Sequence, residues 1–180
     1  DIYKNVMPSL PHEGRNSDEA ADRSKLPAQL NGTCTIDSWG GYWDYSNMRK
    51  INFLFEKIES GTIDSDSKKV IKGQAFFFRA WLYFRMVRAY GGVPLILRAQ
   101  DASEGEALNL PRNKTSECIT QIITDLDSAI AYVPEKYGSA DDGRIDKIAA
   151  KAFKGRVLLY YASPQFNPSG DASRWQNAYN

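Results

Sequence analysis

The chain has 180 residues, and its 23 basic and 22 acidic side chains leave a formal net charge of +1 at neutral pH. This length is enough for one domain with a substantial core. The balanced charge gives no electrostatic argument for nucleic acid or an anionic membrane surface as the main partner. The most apolar stretch, residues 73–96, is interrupted by Arg79, Arg85 and Arg88 and therefore predicts a buried helix, not a membrane span.

The first forty residues are rich in Pro, Gly, Asn, Ser and Asp and show no hydrophobic periodicity. They predict an irregular segment, residues 1–40, that packs on a helical body and contains one short helix near residues 18–23. The only cysteines, Cys34 and Cys118, have no metal-site spacing. We expect both thiols to be free and buried, and a single bridge is the alternative in an exported protein. No signal peptide is recognisable at the start of the chain.

Apolar residues at helical spacing predict four helices in the remainder of the chain, residues 41–180. The second helix begins near Asp64, which can cap its first turn, and ends at Gly91-Gly92, with Pro94 blocking continuation. The "VPLIL" that follows predicts a short extended piece. The four helices are expected at about 42–60, 67–90, 115–133 and 146–162, with the start of a fifth at 173.

The first and third predicted helices superpose in sequence at an offset of 75 residues, and the second and fourth superpose at the same offset. Phe78 then matches Phe153, and Arg79 matches Lys154. One offset for both helices predicts a duplicated helical hairpin, at about 42–96 and 113–168, with a third hairpin beginning at 173. The predicted fold class is all-α, with tetratricopeptide-like helical hairpin repeats and long irregular loops. The second helix of a stacked hairpin needs apolar groups around most of its circumference, which explains residues 73–90.

Four segments carry a family resemblance when they are taken in order. They are "WDYSNMRKINFLFEKI", "GQAFFFRAWLYFRMVRAYGGVPLIL", "PRNKTSECITQIITDLDSAIAYVP" and "GRIDKIAAKAFKGRVLLYYASPQFNP", followed by "RWQNAY". Over residues 40–180 the chain resembles the SusD/RagB family of outer-membrane nutrient-binding lipoproteins.

The resemblance implies a non-catalytic protein that binds glycans or similar nutrients at the cell surface and delivers them to a SusC-like TonB-dependent transporter. It implies an outer-membrane location through a lipid anchor that is absent from this chain, and it implies that the chain is a fragment of the family's full length. No cofactor, metal or nucleic-acid partner is expected. The alternative is a helical-repeat adaptor that binds a peptide or protein. An enzyme ranks last, since the sequence contains no recognisable catalytic set.

The candidate ligand site lies just before the first long helix, in "TCTIDSWGGYWDY". Sugars bind to aromatic faces, and planar polar groups hold their hydroxyls. The resemblance implies that ligand contacts come partly from this loop. We therefore predict Trp39 and Tyr42 as stacking residues, with Asn31 and Asp37 as polar contacts. Trp43 is included, although packing on the helix pair is favoured for it, and for Trp39 both interpretations stand.

Other polar side chains are expected to be structural. Asp125 and Asp127 are predicted to be solvated acids on the third helix, and the arginines of the second helix are predicted to pair with acids of neighbouring helices. Phe166 and Asn167 are predicted to form a packed turn after the fourth helix, and His12 is predicted to be a surface residue.

Overall fold

The computed structural model describes residues 2–6, 28–35 and 41–180. These residues contain seven α-helices, and none of the described residues forms a strand. The chain divides into two compact units, Asp1–Asp44 and Tyr45–Asn180. The first unit contains the short helices α1, Ile2–Val6, and α2, Ala28–Asn31. The helix predicted near residues 18–23 and His12 lie outside the described residues.

The second unit holds the long helices, and the prediction of an all-α, tetratricopeptide-like fold is confirmed. Each predicted helix boundary agrees with the structure to within three residues. Two short 3₁₀ segments, Ala102–Leu108 and Ser139–Asp141, lie in the connecting loops. The helices are α3, Tyr45–Lys57; α4, Ser65–Tyr90; α5, Thr115–Tyr132; α6, Lys147–Ala162; and α7, Ala172–Tyr179.

Consecutive helices of this unit run antiparallel. The Phe55 ring of α3 lies 4.4 Å from the Phe76 ring of α4. Three residues earlier on α3, Asn52 accepts a hydrogen bond from Arg79, which lies three residues later on α4. The order of contacts is therefore reversed between the two helices. The ion pair between Lys154 of α6 and Asp127 of α5, and that between Lys147 and Glu135 nearby, show the same reversal.

Helix α4 is enclosed by three other helices, as expected for the second helix of a stacked hairpin. Its Phe76 ring contacts α3, and its Arg79 side chain reaches α5. Three further rings of α4 lie 5.1–5.5 Å from the Phe153 ring of α6, namely those of Phe77, Trp81 and Phe84. The apolar sequence of α4 is thus explained by packing in several directions. None of the helices in the described part of the chain is long and apolar enough to cross a membrane.

Both ends of α4 are fixed by local chemistry. The Asp64 side chain accepts hydrogen bonds from the backbone N–H groups of Asp66 and Ser67, at 3.1 and 2.9 Å. It therefore satisfies two of the donors that a helix start leaves without partners. At the other end, Gly91 has a positive φ of 72°. A Cβ on the next residue, Gly92, would lie 1.9 Å from the carbonyl oxygen of Asn113, so the close approach of these two segments requires glycine.

One expectation about the cysteines is wrong. Cys34 is free, as predicted, but it is exposed, whereas Cys118 is free and buried. Helix α6 is buried along one side. Its buried residues are Ala150, Phe153, Val157 and Ala162, because α6 packs towards α4 and α5 through the Phe153 side. The opposite side carries Leu159, which is 54% exposed.

Candidate functional site

The segment that enters α3, residues 41–44, presents two aromatic side chains. Tyr42 is 39% exposed and Trp43 is 49% exposed. The backbone N–H of Asp44 donates to the carbonyl oxygen of Tyr42 at 2.8 Å, which makes a tight turn immediately before the helix. Sequence periodicity predicted that this helix starts at about Tyr42, but in the structure it starts at Tyr45. Because the segment is not helical, both aromatic rings lie in a loop and offer part of their surface to solvent.

Asn31 ends the short helix α2 and is exposed. Its side-chain oxygen accepts hydrogen bonds from the backbone N–H of Thr33, at 3.0 Å, and from the Thr33 hydroxyl. This Asx-type turn fixes the direction of the Asn31 amide. An oriented amide at an exposed position suits recognition of a hydroxyl group, although the same turn also serves to end the helix.

The remaining two predicted site residues, Asp37 and Trp39, lie outside the described residues. Asn31, Tyr42 and Trp43 belong to the same compact unit, Asp1–Asp44. The structure therefore places three of the five residues on one unit and at its surface. Their role in binding a ligand stays a prediction.

Within the helical unit, the most enclosed polar group is the pair of Arg79 and Asp125. Nε and Nη2 of Arg79 each donate to one carboxylate oxygen of Asp125 at 2.7 Å, and Nη1 donates to the Asn52 side-chain oxygen at 3.2 Å. Arg79 is 6% exposed and Asp125 is 1% exposed. The prediction that the arginines of α4 pair with acids of neighbouring helices is confirmed for Arg79. The prediction that Asp125 is solvated is wrong, because Asp125 faces α4, whereas Asp127 lies at the surface.

The surroundings of this ion pair close it to solvent. The Arg79 guanidinium lies 4.8 Å from the centre of the Phe55 ring and 5.4 Å from that of Phe76. Burial raises the pKa of the Asp125 carboxyl, while the two bonds from Arg79 act in the opposite direction. Three hydrogen bonds from the Arg79 guanidinium, two to Asp125 on α5 and one to Asn52 on α3, hold α3, α4 and α5 in register. It is not accessible to a ligand.

The extended segment after α4 is attached to the helices by side chains and not by a sheet. The Tyr83 hydroxyl accepts from the Ile96 N–H at 2.7 Å and donates to the Ile96 carbonyl at 3.0 Å. The Asn52 amide donates to the same carbonyl at 2.8 Å and to that of Arg98 at 3.0 Å. The Tyr45 hydroxyl donates to the Pro94 carbonyl at 2.7 Å.

The titration behaviour of the two tyrosines fits this role. Burial raises the pKa of Tyr45 to about 12 and raises that of Tyr83 well above its ordinary value. Both hydroxyls therefore keep their protons at neutral pH and can donate to a carbonyl. Sequence analysis missed these anchors and Asn52. The available signal was a tyrosine and an asparagine on the buried stripe of a helix, since a buried polar group needs a partner.

The turn after α6 is packed, as predicted. Asn167 is 3% exposed, and its amide nitrogen donates to the Asp171 carbonyl at 2.9 Å while its oxygen accepts from the Asp171 N–H at 2.9 Å. The Phe166 ring lies 5.2 Å from the Tyr160 ring. Across the residues that the structure describes, no group of three His, Cys, Asp or Glu side chains could hold a metal ion.

Comparison with known proteins relates the chain to one family. The model of a SusD-like family, described as starch-binding and associating with the outer membrane, matches residues 12–159. The SusD-like protein P38 of Formosa agariphila is 27% identical, and the match covers 83% of this chain and 32% of that protein. The family description names a binding function and no reaction, in agreement with the expectation of a protein that is not an enzyme.

Solved structures of SusD-like proteins superpose on this chain. A SusD-like protein from Bacteroides fragilis superposes with a TM-score of 0.64 at 33% identity, covering 90% of this chain and 29% of that one. A laminarin-binding SusD-like protein superposes with a TM-score of 0.68 at 26% identity, covering 88% of this chain and 34% of that one. The chain thus spans about a third of the length of these relatives. By the match over residues 12–159 and by its helical fold, the chain belongs to the SusD-like family.

Proposed function

We propose that this chain contributes an aromatic platform for glycan binding to a cell-surface protein that captures nutrients. The observation that carries the proposal is the non-helical segment before α3, where Tyr42 and Trp43 are each partly exposed. The exposed part of these neighbouring aromatic rings is a surface that a pyranose ring can cover by stacking. The similarity to a laminarin-binding SusD-like protein supports a carbohydrate as the ligand class.

The proposed mechanism is capture without a chemical reaction. The faces of Trp39, Tyr42 and Trp43 would stack on sugar rings, and the side chains of Asn31 and Asp37 would accept or donate hydrogen bonds at sugar hydroxyls. Stacking supplies most of the apolar contact, and the polar groups select the orientation of the ring. No bond is made or broken, so no general acid, general base or metal is needed.

The partner and the location form a separate part of the proposal. The bound glycan would be delivered to a SusC-like TonB-dependent transporter, and the complete protein would be held at the outer membrane by a lipid anchor. Support comes from the family description, which includes association with the outer membrane. Co-purification of the complete protein with a membrane transporter encoded beside it tests this part independently of glycan binding.

The test of glycan binding uses the exposed tryptophans as a matched pair. Trp43 in the proposed site is 49% exposed, and Trp175 on α7 is 46% exposed. Trp39→Ala and Trp43→Ala should weaken binding of laminarin oligosaccharides by at least about tenfold, because each removes a stacking face. Trp175→Ala should leave the affinity unchanged. Calorimetric titration gives the affinities, and circular dichroism confirms that the variants keep their helices.

The result also separates the alternatives. Equal loss in Trp43→Ala and Trp175→Ala, or no loss in Trp39→Ala and Trp43→Ala, would contradict the proposed site. If a glycan array gives no ligand and a polypeptide binds tightly, the helical-repeat adaptor is favoured over the glycan-binding protein. Release of reducing sugar that a single carboxylate substitution abolishes would favour an enzyme.

A further inference from the structure

One side of α3 carries a row of exposed basic and aromatic side chains. Arg49, Lys50, Phe53 and Lys57 are all exposed, and Phe53 is 47% exposed. Phe53 lies four residues from Arg49 and Lys57 and three from Lys50, and this spacing places all four on one face of the helix. The buried residues of α3 lie on the opposite face. We refer to these four side chains as the basic stripe.

The positive charges of the basic stripe are not matched by acids in the described part of the chain. None of its three cations forms an ion pair with a described residue, whereas α4 holds three of its cations in ion pairs. Two nearby acids are engaged by other groups. The Glu56 carboxylate accepts from the Ala99 N–H at 2.8 Å, and that of Asp101 accepts from the N–H and the hydroxyl of Ser103 at 2.8 and 2.6 Å. The stripe therefore offers its charge to a ligand.

The two ends of the stripe offer different cationic groups. Nε of Arg49 donates to the Gln100 carbonyl at 3.1 Å, while Nη1 and Nη2 have no hydrogen bond with a described residue. The geometry of a guanidinium fork matches the two oxygens of a carboxylate. At the other end, Nζ of Lys57 lies 5.6 Å from the centre of the Phe53 ring. Arg49 and Lys57 are about 12 Å apart along the helix axis, with the phenyl ring between them.

The duplicated hairpin shows that the repeat itself does not require these side chains. At the 75-residue offset, Arg49 and Phe53 correspond to Thr124 and Ser128 of α5. The hydroxyls of these two residues donate to carbonyl oxygens one turn earlier in α5, at 2.9 and 3.0 Å. The equivalent positions of the second hairpin thus carry neither a cation nor a ring, and the fold gives no reason for the basic stripe.

We infer that the basic stripe is a binding site for a glycan that carries carboxylate groups. That the ligand is a glycan rests on the proposed function, and that it is acidic rests on the charge of the stripe. A uronic acid has its carboxylate directly on the sugar ring, so a ring that stacks on Phe53 places the carboxylate beside the flanking cations. The Arg49 fork binds one carboxylate through two hydrogen bonds, and the two lysines attract further carboxylates as point charges. An acidic polypeptide would engage the cations but would not need the exposed ring between them.

Calorimetric titration of the complete protein with two matched ligands tests the inference. Oligogalacturonate should bind at least about tenfold more tightly than its methyl ester, which has the same sugars without the charges. Lys50→Gln/Lys57→Gln should weaken oligogalacturonate binding by about tenfold and leave the affinity for laminarin oligosaccharides, which are neutral, unchanged.

Two further variants separate the stripe from net charge. Lys151→Gln/Arg156→Gln removes two charges from exposed positions of α6 and should leave oligogalacturonate binding unchanged. Arg49→Lys keeps the charge but loses the fork, and it should still weaken the binding severalfold. Circular dichroism confirms that each variant keeps its helices.

The other outcomes overturn the inference in distinguishable ways. If laminarin oligosaccharides bind while oligogalacturonate does not, or binds no better than its methyl ester, the basic stripe is not a glycan site and the proposed function stands. If no saccharide binds, both fail. Equal losses in the α3 and α6 double variants would reduce the effect to net charge. Tighter binding of a sulfated dextran oligosaccharide would assign the stripe to sulfate groups, and tighter binding of polyglutamate would assign it to an acidic polypeptide.

Discussion

Arg79 and Asp125 form a buried ion pair between α4 and α5, whereas Lys154, the equivalent of Arg79 in the second hairpin, pairs with Asp127 at the surface. The two cations hold equivalent hairpin positions, but Asp125 is 1% exposed while about half of the Asp127 side chain is exposed. Helix α5 therefore carries one acid in a buried pair and, two residues later, a second acid in an exposed pair that serves as its control.

Removing one partner of the buried pair should be costly. Asp125→Ala leaves the Arg79 charge enclosed and without its carboxylate, and breaking a buried pair in this way typically lowers the free energy of unfolding by about 3–5 kcal/mol. Asp127→Ala removes a surface pair and should cost less than about 1 kcal/mol. Urea denaturation followed by circular dichroism gives both values. Equal costs for the two variants would show that the burial of Asp125 has no energetic consequence.

Replacing both partners should restore most of the loss. In the double variant Arg79→Met and Asp125→Leu, no charge is buried, and such replacements are often neutral or stabilising. Asn52 would lose only the donor at 3.2 Å, and its bonds to the backbone of the extended segment would remain. If the double variant is as unstable as Asp125→Ala, the unpaired Arg79 charge alone does not explain the loss of stability in Asp125→Ala.

The helices themselves could be predicted from local sequence, and the partner of Arg79 could not. Periodicity and turn residues place the ends of α4 because Asp64 and Gly91 act on backbone groups a few residues away. The neighbour of Asp125 depends on a residue 46 positions earlier in the chain. A local signal was nevertheless present, since Asp125 lies between Ile122 and Ala129 on the apolar stripe of α5, whereas Asp127 does not.

The ligand site could be predicted only as a set of residue types. Exposed Tyr42 and Trp43 are consistent with a platform, but aromatic side chains in a loop serve equally well as packing residues. Stacking on a sugar needs a particular arrangement of rings, and loop conformation depends on many weak contacts that have no period in sequence. The sequence therefore names the chemistry of the site and leaves its geometry open.

The glycines of the helical unit should respond to alanine in opposite directions. Gly92→Ala places a Cβ 1.9 Å from the Asn113 carbonyl oxygen, which forces two backbone segments apart and should cost several kcal/mol. Gly155→Ala in α6 meets nothing within 4 Å and should stabilise the 180-residue chain by about 0.5–1 kcal/mol, because alanine favours a helix interior. Thermal unfolding of both variants gives the sign, and a stabilising Gly92→Ala would contradict the close approach.

The Tyr83 hydroxyl should be important for the extended segment after α4. Among the described contacts, the Tyr83 hydroxyl alone both accepts a hydrogen bond from the Ile96 N–H and donates one to the Ile96 carbonyl. Tyr83→Phe removes this hydroxyl. An unpaired buried backbone group costs about 1–3 kcal/mol. Tyr132→Phe, at a position that is 38% exposed, should be close to neutral. Hydrogen exchange should show faster exchange of the Ile96 amide in Tyr83→Phe alone, and unchanged protection would contradict this role.

The two cysteines should differ in reactivity. Cys34 is exposed, whereas Cys118 is buried and its pKa is raised by burial, so that little reactive thiolate forms. An aromatic disulfide reagent should label one thiol in the native protein at pH 8 and two in denaturant. Cys34→Ser should abolish the native signal, and Cys118→Ser should leave it unchanged. A native protein with no reactive thiol would contradict the exposure of Cys34.

Glu104 gives the loop after the extended segment a dependence on pH. Its carboxylate accepts from Arg98 at 2.6 Å and from the Asp101 N–H at 2.7 Å, and these bonds, above all that from Arg98, lower the pKa of Glu104 to about 2. A depressed pKa stabilises the folded loop above the ordinary value of about 4.3. This contribution decreases below that value and is lost as the pH falls through about 2. NMR titration should therefore find Glu104 ionised at pH 3.5, and Arg98→Gln should raise its pKa towards the ordinary value. An unchanged pKa in Arg98→Gln would show that the guanidinium does not hold the carboxylate in solution.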